Sequence, residues 1–153
     1  MDYVIRPLTS QDEPILWEML YHGLSDPAAP KLGSRDMLRE PEISKYVAGW
    51  GRSGDHGFVA REKRGGALIG AVWLRQSTDE SGAVPELAFA VKQEHRRHGI
   101  GTALLTQLVR ANPDQSMISI SFVAGKPVLR LYERFGFKVI ERQRGAVVMQ
   151  RQS

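Results

Sequence analysis

The sequence predicts an α/β fold built on a mixed, mostly antiparallel central sheet flanked by helices. Three observations carry that expectation. The hydrophobic period changes from helical to alternating near residue 57. Three alternating runs then follow one another across short turns. Two later amphipathic stretches of helical period separate the remaining strands. The predicted order is β-α-α-β-β-β-α-β-α-β-β, in one domain spanning 1–153.

Each element has its own signal. "DYVIRPL" reads as a strand that stops at Pro7, and Thr9 or Ser10 can cap the helix that follows. That helix is expected from Asp12 to Leu20, with Ile15, Leu16, Met19 and Leu20 on one face. "SDPAAPKLGS" (25–34) reads as a loop. A second helix is expected from Pro41 to Trp50, striped by Ile43, Val47 and Trp50, and ended by the glycine-dense "GRSGDHG". "FVARE", "ALIGAVWLRQ" and "VPELAFAV" are three consecutive antiparallel strands joined through "KRGG" and "DESG". A helix from Thr102 to Arg110 presents Ala103, Leu104 and Leu108, with Leu105 on the flank, and "ANPD" stops it. "SMISISFV" is a strand, and "KPVLRLYERFGF" is a short amphipathic helix with proline in its first turn and Gly136 at its end. "KVIER" and "AVVMQR" close the chain as strands around "QRG".

Composition narrows the function classes. The 153 residues are 42% hydrophobic and 25% charged, enough to fill a core. A net charge of +4 and a pI near 9.6 favour anionic partners. With no cysteine, disulfides, thiolate metal sites and cysteine nucleophiles are excluded. The N-terminus lacks the pattern of a signal peptide, and no apolar run approaches the ~20 residues that span a bilayer. A cytoplasmic protein with no membrane partner is the expectation. No histidine spacing suggests a metal site: His95 and His98 lie in a basic loop, and His56 is expected to be solvated in a turn.

The richest stretch is "EHRRHGIGTALL" (94–105). It follows a strand and opens a helix, where first-turn N–H groups lack intrahelical partners and attract anions. Gly99 and Gly101 would let an anion approach the backbone, with Arg96 and Arg97 around it. The pattern is not a P-loop, which needs G-x-x-x-x-G-K-[ST]. Nor is it a dinucleotide fingerprint, since Leu104 stands where the third glycine or alanine belongs.

Together with its flanks, "ELAFAVKQEHRRHGIGTALL" resembles the acetyl-CoA-binding signature [RQ]-x-x-G-x-[GA] of the GCN5-related N-acetyltransferase (GNAT) family, matched at Arg96, Gly99 and Gly101. "LYERFGF" (131–137) resembles the late helix of the same enzymes. The resemblance covers nearly the whole chain and implies the GNAT-like acyl-CoA N-acyltransferase fold. By that resemblance Phe89, Ala90 and Val91 would hold the pantetheine arm of acetyl-CoA. The backbone of Arg97, His98, Gly99, Ile100, Gly101 and Thr102 would hold its pyrophosphate, with Arg96 beside it. Many members carry asparagine and alanine where this chain has Gly125 and Val128, and Lys126 is the residue placed to replace the asparagine contact.

The implied reaction is acetyl transfer to a primary amine of a small molecule or peptide, by direct attack on the thioester. The amine must lose a proton, the oxyanion needs a donor and the leaving thiolate gains from a proton. By resemblance Tyr132 is the acid and Glu86 the base. Glu86, between Pro85 and "LAFA", is expected to be partly enclosed, which would raise its pKa. Backbone N–H groups near Ala90 and Val91 would polarise the thioester carbonyl. Trp17, Tyr21, His22 and Trp50 are candidates to line the acceptor pocket, although packing alone accounts for the two tryptophans. Family members often dimerise, and the closing strands could pair across subunits. A non-catalytic acyl-CoA-binding module is the alternative. A nucleic-acid-binding domain is disfavoured, because the aromatics do not interleave with basic residues on a strand.

Overall fold

A computed structural model describes residues 3–24, 39, 41–52, 54–75, 84–92, 99–121, 126–143 and 146–151. The elements follow the predicted order: β1 (Tyr3–Pro7), α1 (Glu13–Leu24), α2 (Pro41–Ser44), β2 (His56–Glu62), β3 (Leu68–Arg75), β4 (Glu86–Val91), α3 (Ile100–Ala111), β5 (Met117–Ser121), α4 (Lys126–Arg134), β6 (Phe137–Gln143) and β7 (Ala146–Arg151). The loop expected at 25–34 and the turn expected at 79–82 lie outside the described residues.

The strands form one sheet in the order β1-β2-β3-β4-β5-β7-β6. Every neighbouring pair is antiparallel except β4 and β5. Strand alternation sends side chains to two separate cores. Val72 and Leu74 of β3, with Leu87 and Val91 of β4, meet Leu104, Leu108, Leu131 and Tyr132 from α3 and α4. Ala71 and Trp73, with Ala88 and Ala90, meet Leu16, Met19 and Leu20 of α1 and the segment from Ile43 to Trp50. One closing strand departs from its expected role. β7 lies inside the sheet between β5 and β6, so of the two closing strands it is β6 that presents an outer edge, where Val139 and Ile140 are exposed.

The second helix is shorter than predicted. Its stripe is right, since Ile43, Val47 and Trp50 are all buried, but regular helix ends at Ser44 and tight turns follow. Continuing the helix to Trp50 would need the carbonyls of Lys45 and Tyr46 as acceptors for the N–H groups of residues 49 and 50. Buried side chains of β3 take them instead. Arg75 Nη1 donates to Lys45 O (3.1 Å) and Ala48 O (2.6 Å), and Trp73 Nε1 donates to Tyr46 O (2.8 Å). Arg75 is 3% exposed, and its Nη2 meets Oδ2 of the fully buried Asp55 at 3.1 Å. The same Oδ2 accepts from the Gly51 and Arg52 N–H groups, so one ion pair ties the whole turn to the end of β3.

At the other end of this face, Asp12 precedes α1. Its carboxylate takes both Arg6 guanidinium nitrogens, at 2.9 and 3.0 Å, and the Thr9 N–H at 2.7 Å. The Arg6 hydrogen bonds hold the Asp12 carboxyl below its ordinary pKa, and burial offsets part of that effect.

Two outcomes are expected. Arg75→Met removes the buried partner of Asp55, leaving it the longer contact to the half-exposed Arg52 (3.8 Å), and should cost about 3–5 kcal/mol in urea denaturation, whereas Asp55→Leu with Arg75→Met should cost less than the single change. Because the folded pKa of Asp12 is depressed, its contribution is present above the unfolded value of about 3.9 and is lost as pH falls through the lower folded value. With Arg6 41% exposed, that contribution is under about 1 kcal/mol. The melting-temperature gap between wild type and Asp12→Asn should therefore hold from pH 7 to about 5 and close below about 4.

Candidate active site

The site begins where β4 meets β5. β4 pairs with β3 along all of its six residues and, among the described residues, with β5 at Glu86–Ser119 and Leu87–Ile120; the residues that follow Ser121 lie outside the described residues. Backbone polar groups alternate sides along a strand. Lys92 N–H donates toward β3, to Ile69 O, while Pro85 O accepts on the β5 side, from Ser119 N–H. By that alternation Phe89 directs its N–H and C=O away from β3, to the side on which β5 joins β4, and Val91 faces the same way. Ala90 faces β3, opposite Ala71. Of the three residues expected to hold a pantetheine arm, Phe89 and Val91 therefore have the right backbone orientation and Ala90 does not. The carbonyl-polarising N–H expected near Ala90 has to come from an odd-numbered neighbour.

After β4 in the chain, α3 opens at Ile100. Gly99 caps it with a φ of 77° and no side-chain cap, and its carbonyl accepts from Ala103 N–H in the first helical turn. The N–H groups of Ile100, Gly101 and Thr102 thus have no partner within the helix. Gly101 has a reason that the sequence did not show. A Cβ built there would lie 2.9 Å from Phe89 Cζ, so the missing side chain lets the helix sit on the strand. A Cβ at Gly99 would meet nothing within 4 Å; backbone conformation alone favours glycine there. Arg96, Arg97, His98, His95 and Gly125 lie outside the described residues, as does the side chain of Lys126, the first residue of α4.

The two candidate catalytic side chains occupy opposite faces of the sheet. Glu86 shares a face with Ala88 and Ala90, toward α1 and α2. Its side chain is 27% exposed, and Oε1 meets Lys45 Nζ at 3.2 Å. Tyr132 lies on the α3–α4 face and is 2% exposed. Its ring meets Phe137 edge-on at 5.1 Å, and the turn at Gly136 brings Phe137 back onto it. That contact is a physical reason for the spacing in "LYERFGF". Burial pushes the Tyr132 phenol above its ordinary pKa, and the charge of Arg151 offsets only part of the effect.

The aromatic residues expected at the acceptor pocket divide. Trp50 is buried with Nε1 on Thr9 O (2.8 Å), and Trp17 bonds Glu13 (3.2 Å), so both serve packing. His22 pairs with Glu18 at 3.3 Å beside Tyr21. His56 is not in a solvated turn. It starts β2 with Nε2 enclosed, and burial lowers its pKa. Sequence reading missed Lys45, Asp55 and Arg75. The available signal was Arg75 at the end of the apolar run "IGAVWLR", on the same alternating face as Trp73. Among the described residues, no group of three or more acidic or histidine side chains could hold a metal, and no helix is long and apolar enough to cross a membrane.

Residues 53–139 match the family described as acetyltransferase (GNAT) domain. No curated protein matches the sequence. Among solved structures, PaiA N-acetyltransferase from Thermoplasma acidophilum, in complex with coenzyme A, is 18% identical with a TM-score of 0.65 and covers 100% of each chain. A phosphinothricin acetyltransferase from Sinorhizobium meliloti, in complex with acetyl-CoA, is 21% identical with a TM-score of 0.63, over 99% of this chain and 88% of that one. A ribosomal-protein-alanine N-acetyltransferase from Brucella melitensis is 20% identical with a TM-score of 0.60, over 98% and 99%. At these identities the likeness establishes the shared fold.

The close approach of α3 to β4 can be checked by a double-mutant cycle. Gly101→Ala should gain little in the wild-type background, because Phe89 must move. In a Phe89→Leu background the helix-propensity gain should reappear, with a coupling of about 1 kcal/mol in urea denaturation.

Proposed function

The chain belongs to the GNAT acetyltransferase family, whose members are acetyl-CoA-dependent enzymes, and we propose that it transfers the acetyl group to a primary amine by direct attack on the thioester. The observation that supports this reading is the glycine-capped first turn of α3, which follows β4 in the chain and whose N–H groups lack intrahelical partners. The residues fit the donor. Phe89 turns its N–H and C=O away from β3, where an amide-bearing arm could pair with them. Ile100, Gly101 and Thr102 supply orphan N–H groups and the positive end of a helix dipole for a pyrophosphate. Arg96, Arg97, His98 and Lys126 join this grip by sequence position.

Glu86 lies at the start of β4 and faces the α1–α2 side, so its carboxylate can take the proton of an arriving ammonium, directly or through one water. The ammonium competes there with Lys45. Tyr132 stays protonated because burial raises its pKa above the ordinary ~10. An ordinary thiol has a pKa of about 8.5, so full proton transfer from this phenol to a thiolate runs uphill. Tyr132 therefore acts as a hydrogen-bond donor to the leaving sulfur, and the thiolate takes its proton from solvent.

Acetyl-CoA at a hundred times its Kd should raise the melting temperature by roughly 5–10 °C, corresponding to about 2.7 kcal/mol. Thiol release should then depend on an added primary amine. Tyr132→Phe should keep the thermal shift and lower kcat by about 10–100-fold, as loss of one transition-state hydrogen bond would. No thermal shift would sink the reading. A shift with no turnover on any amine would favour a module that binds acyl-CoA without catalysis.

A further inference from the structure

We infer that the acceptor carries an anionic group a few bonds from its amine, and that Lys45 selects it. The inference rests on the acetyl-transfer reading above and adds a substrate class to it. Its basis is the pairing of Glu86 with a cation that the fold delivers deliberately. Lys45 Nζ lies 3.2 Å from Glu86 Oε1, with 49% and 27% of the two side chains exposed. The backbone beneath Lys45 is fixed, because Arg75 holds the carbonyls of Lys45 and Ala48, and Trp73 holds that of Tyr46. Arg75 is in turn anchored on Asp55, and it is the cross-strand partner of Glu86 itself. A chance surface pair would have no such support.

An incoming ammonium that takes Glu86 competes with Lys45 for one carboxylate. If the acceptor is a plain amine, two cations then share one carboxylate, and their repulsion opposes binding. Among the described residues no second carboxylate stands ready for Lys45. Asp55 is enclosed on Arg75, while Glu13 bonds the Trp17 indole and the Trp50 N–H, and Glu18 pairs with His22. An acceptor that brings its own carboxylate resolves the conflict. Its ammonium pairs with Glu86, its carboxylate pairs with Lys45, and one ion pair is exchanged for two with no stranded charge. The chemistry selected is that of an amino acid, and polyamines are rejected by the same cation.

The test uses matched pairs of acceptors at saturating acetyl-CoA: each of a panel of α-amino acids beside its amide and its decarboxylated amine. The expected result is a kcat/KM at least about tenfold higher for the acids, carried mainly by KM, the size expected of one charge-assisted contact. Lys45→Met should collapse that ratio toward one, and Lys45→Glu should invert it in favour of the amines. Lys138→Met, on the exposed edge strand, should leave the ratio unchanged. Equal use of acids and amides by the wild type, or a ratio that survives Lys45→Met, overturns the inference while acetyl transfer stands. Binding of acetyl-CoA with no turnover on any acid also overturns it. Failure to bind acetyl-CoA at all is the distinct result that removes the underlying reading.

Discussion

The structure depends on the ladder that joins β4 to β3. β4 is bonded to β3 throughout, which fixes its position and register. Backbone polar groups alternate sides along a strand, so Phe89 turns its own away from β3. In the proposed reading it offers them to the cofactor without β4 losing its place. Gly101 lets α3 come close to this strand. With no side chain between helix and strand, the start of α3 sits directly on Phe89. Cofactor recognition in this reading is thus a property of backbone geometry, with the arginines of the glycine loop adding charge around it.

The opposite face is organised by charge. Asp55 and Arg75 form a buried pair whose remaining hydrogen bonds run to the backbone of the 45–52 turn. Burying two ions is costly unless their geometry is satisfied. Here main-chain carbonyls and N–H groups satisfy most of the pair, while Asp55 Oδ1 and Arg75 Nε take no partner among the described residues, and the side effect is to unwind what the sequence would make a helix. Lys45 in that turn meets Glu86. The buried ion pair and the Lys45–Glu86 pair are consequently linked through a single residue's backbone and side chain.

Tyr132 shows how packing sets chemistry. The same burial that holds its ring against Phe137 removes the phenolate from consideration, because a charged oxygen could not be solvated there. The group is left as a permanent donor. Glu86, more exposed and ion-paired, stands on the far side of the sheet, where the proposed reading makes it the proton acceptor. In that reading the two roles are separated by the strand that would lie along the donor.

The sequence by itself determined the element order, the single antiparallel-dominated sheet and the glycine junction before α3, because each is written in local periodicity and turn chemistry. Ile43, Val47 and Trp50 were read correctly as buried even though the helix assigned to them was wrong. Only the tertiary structure decided that helix's fate, since the carbonyls it needed are captured by Arg75 and Trp73 from a strand distant in sequence. The same holds for Gly101 against Phe89, for the orientation of Ala90 toward β3, and for Lys45 on Glu86. Local patterns report which face of an element is apolar. Which atom of one element reaches which atom of another depends on register and close approach, and those exist only once the sheet is assembled.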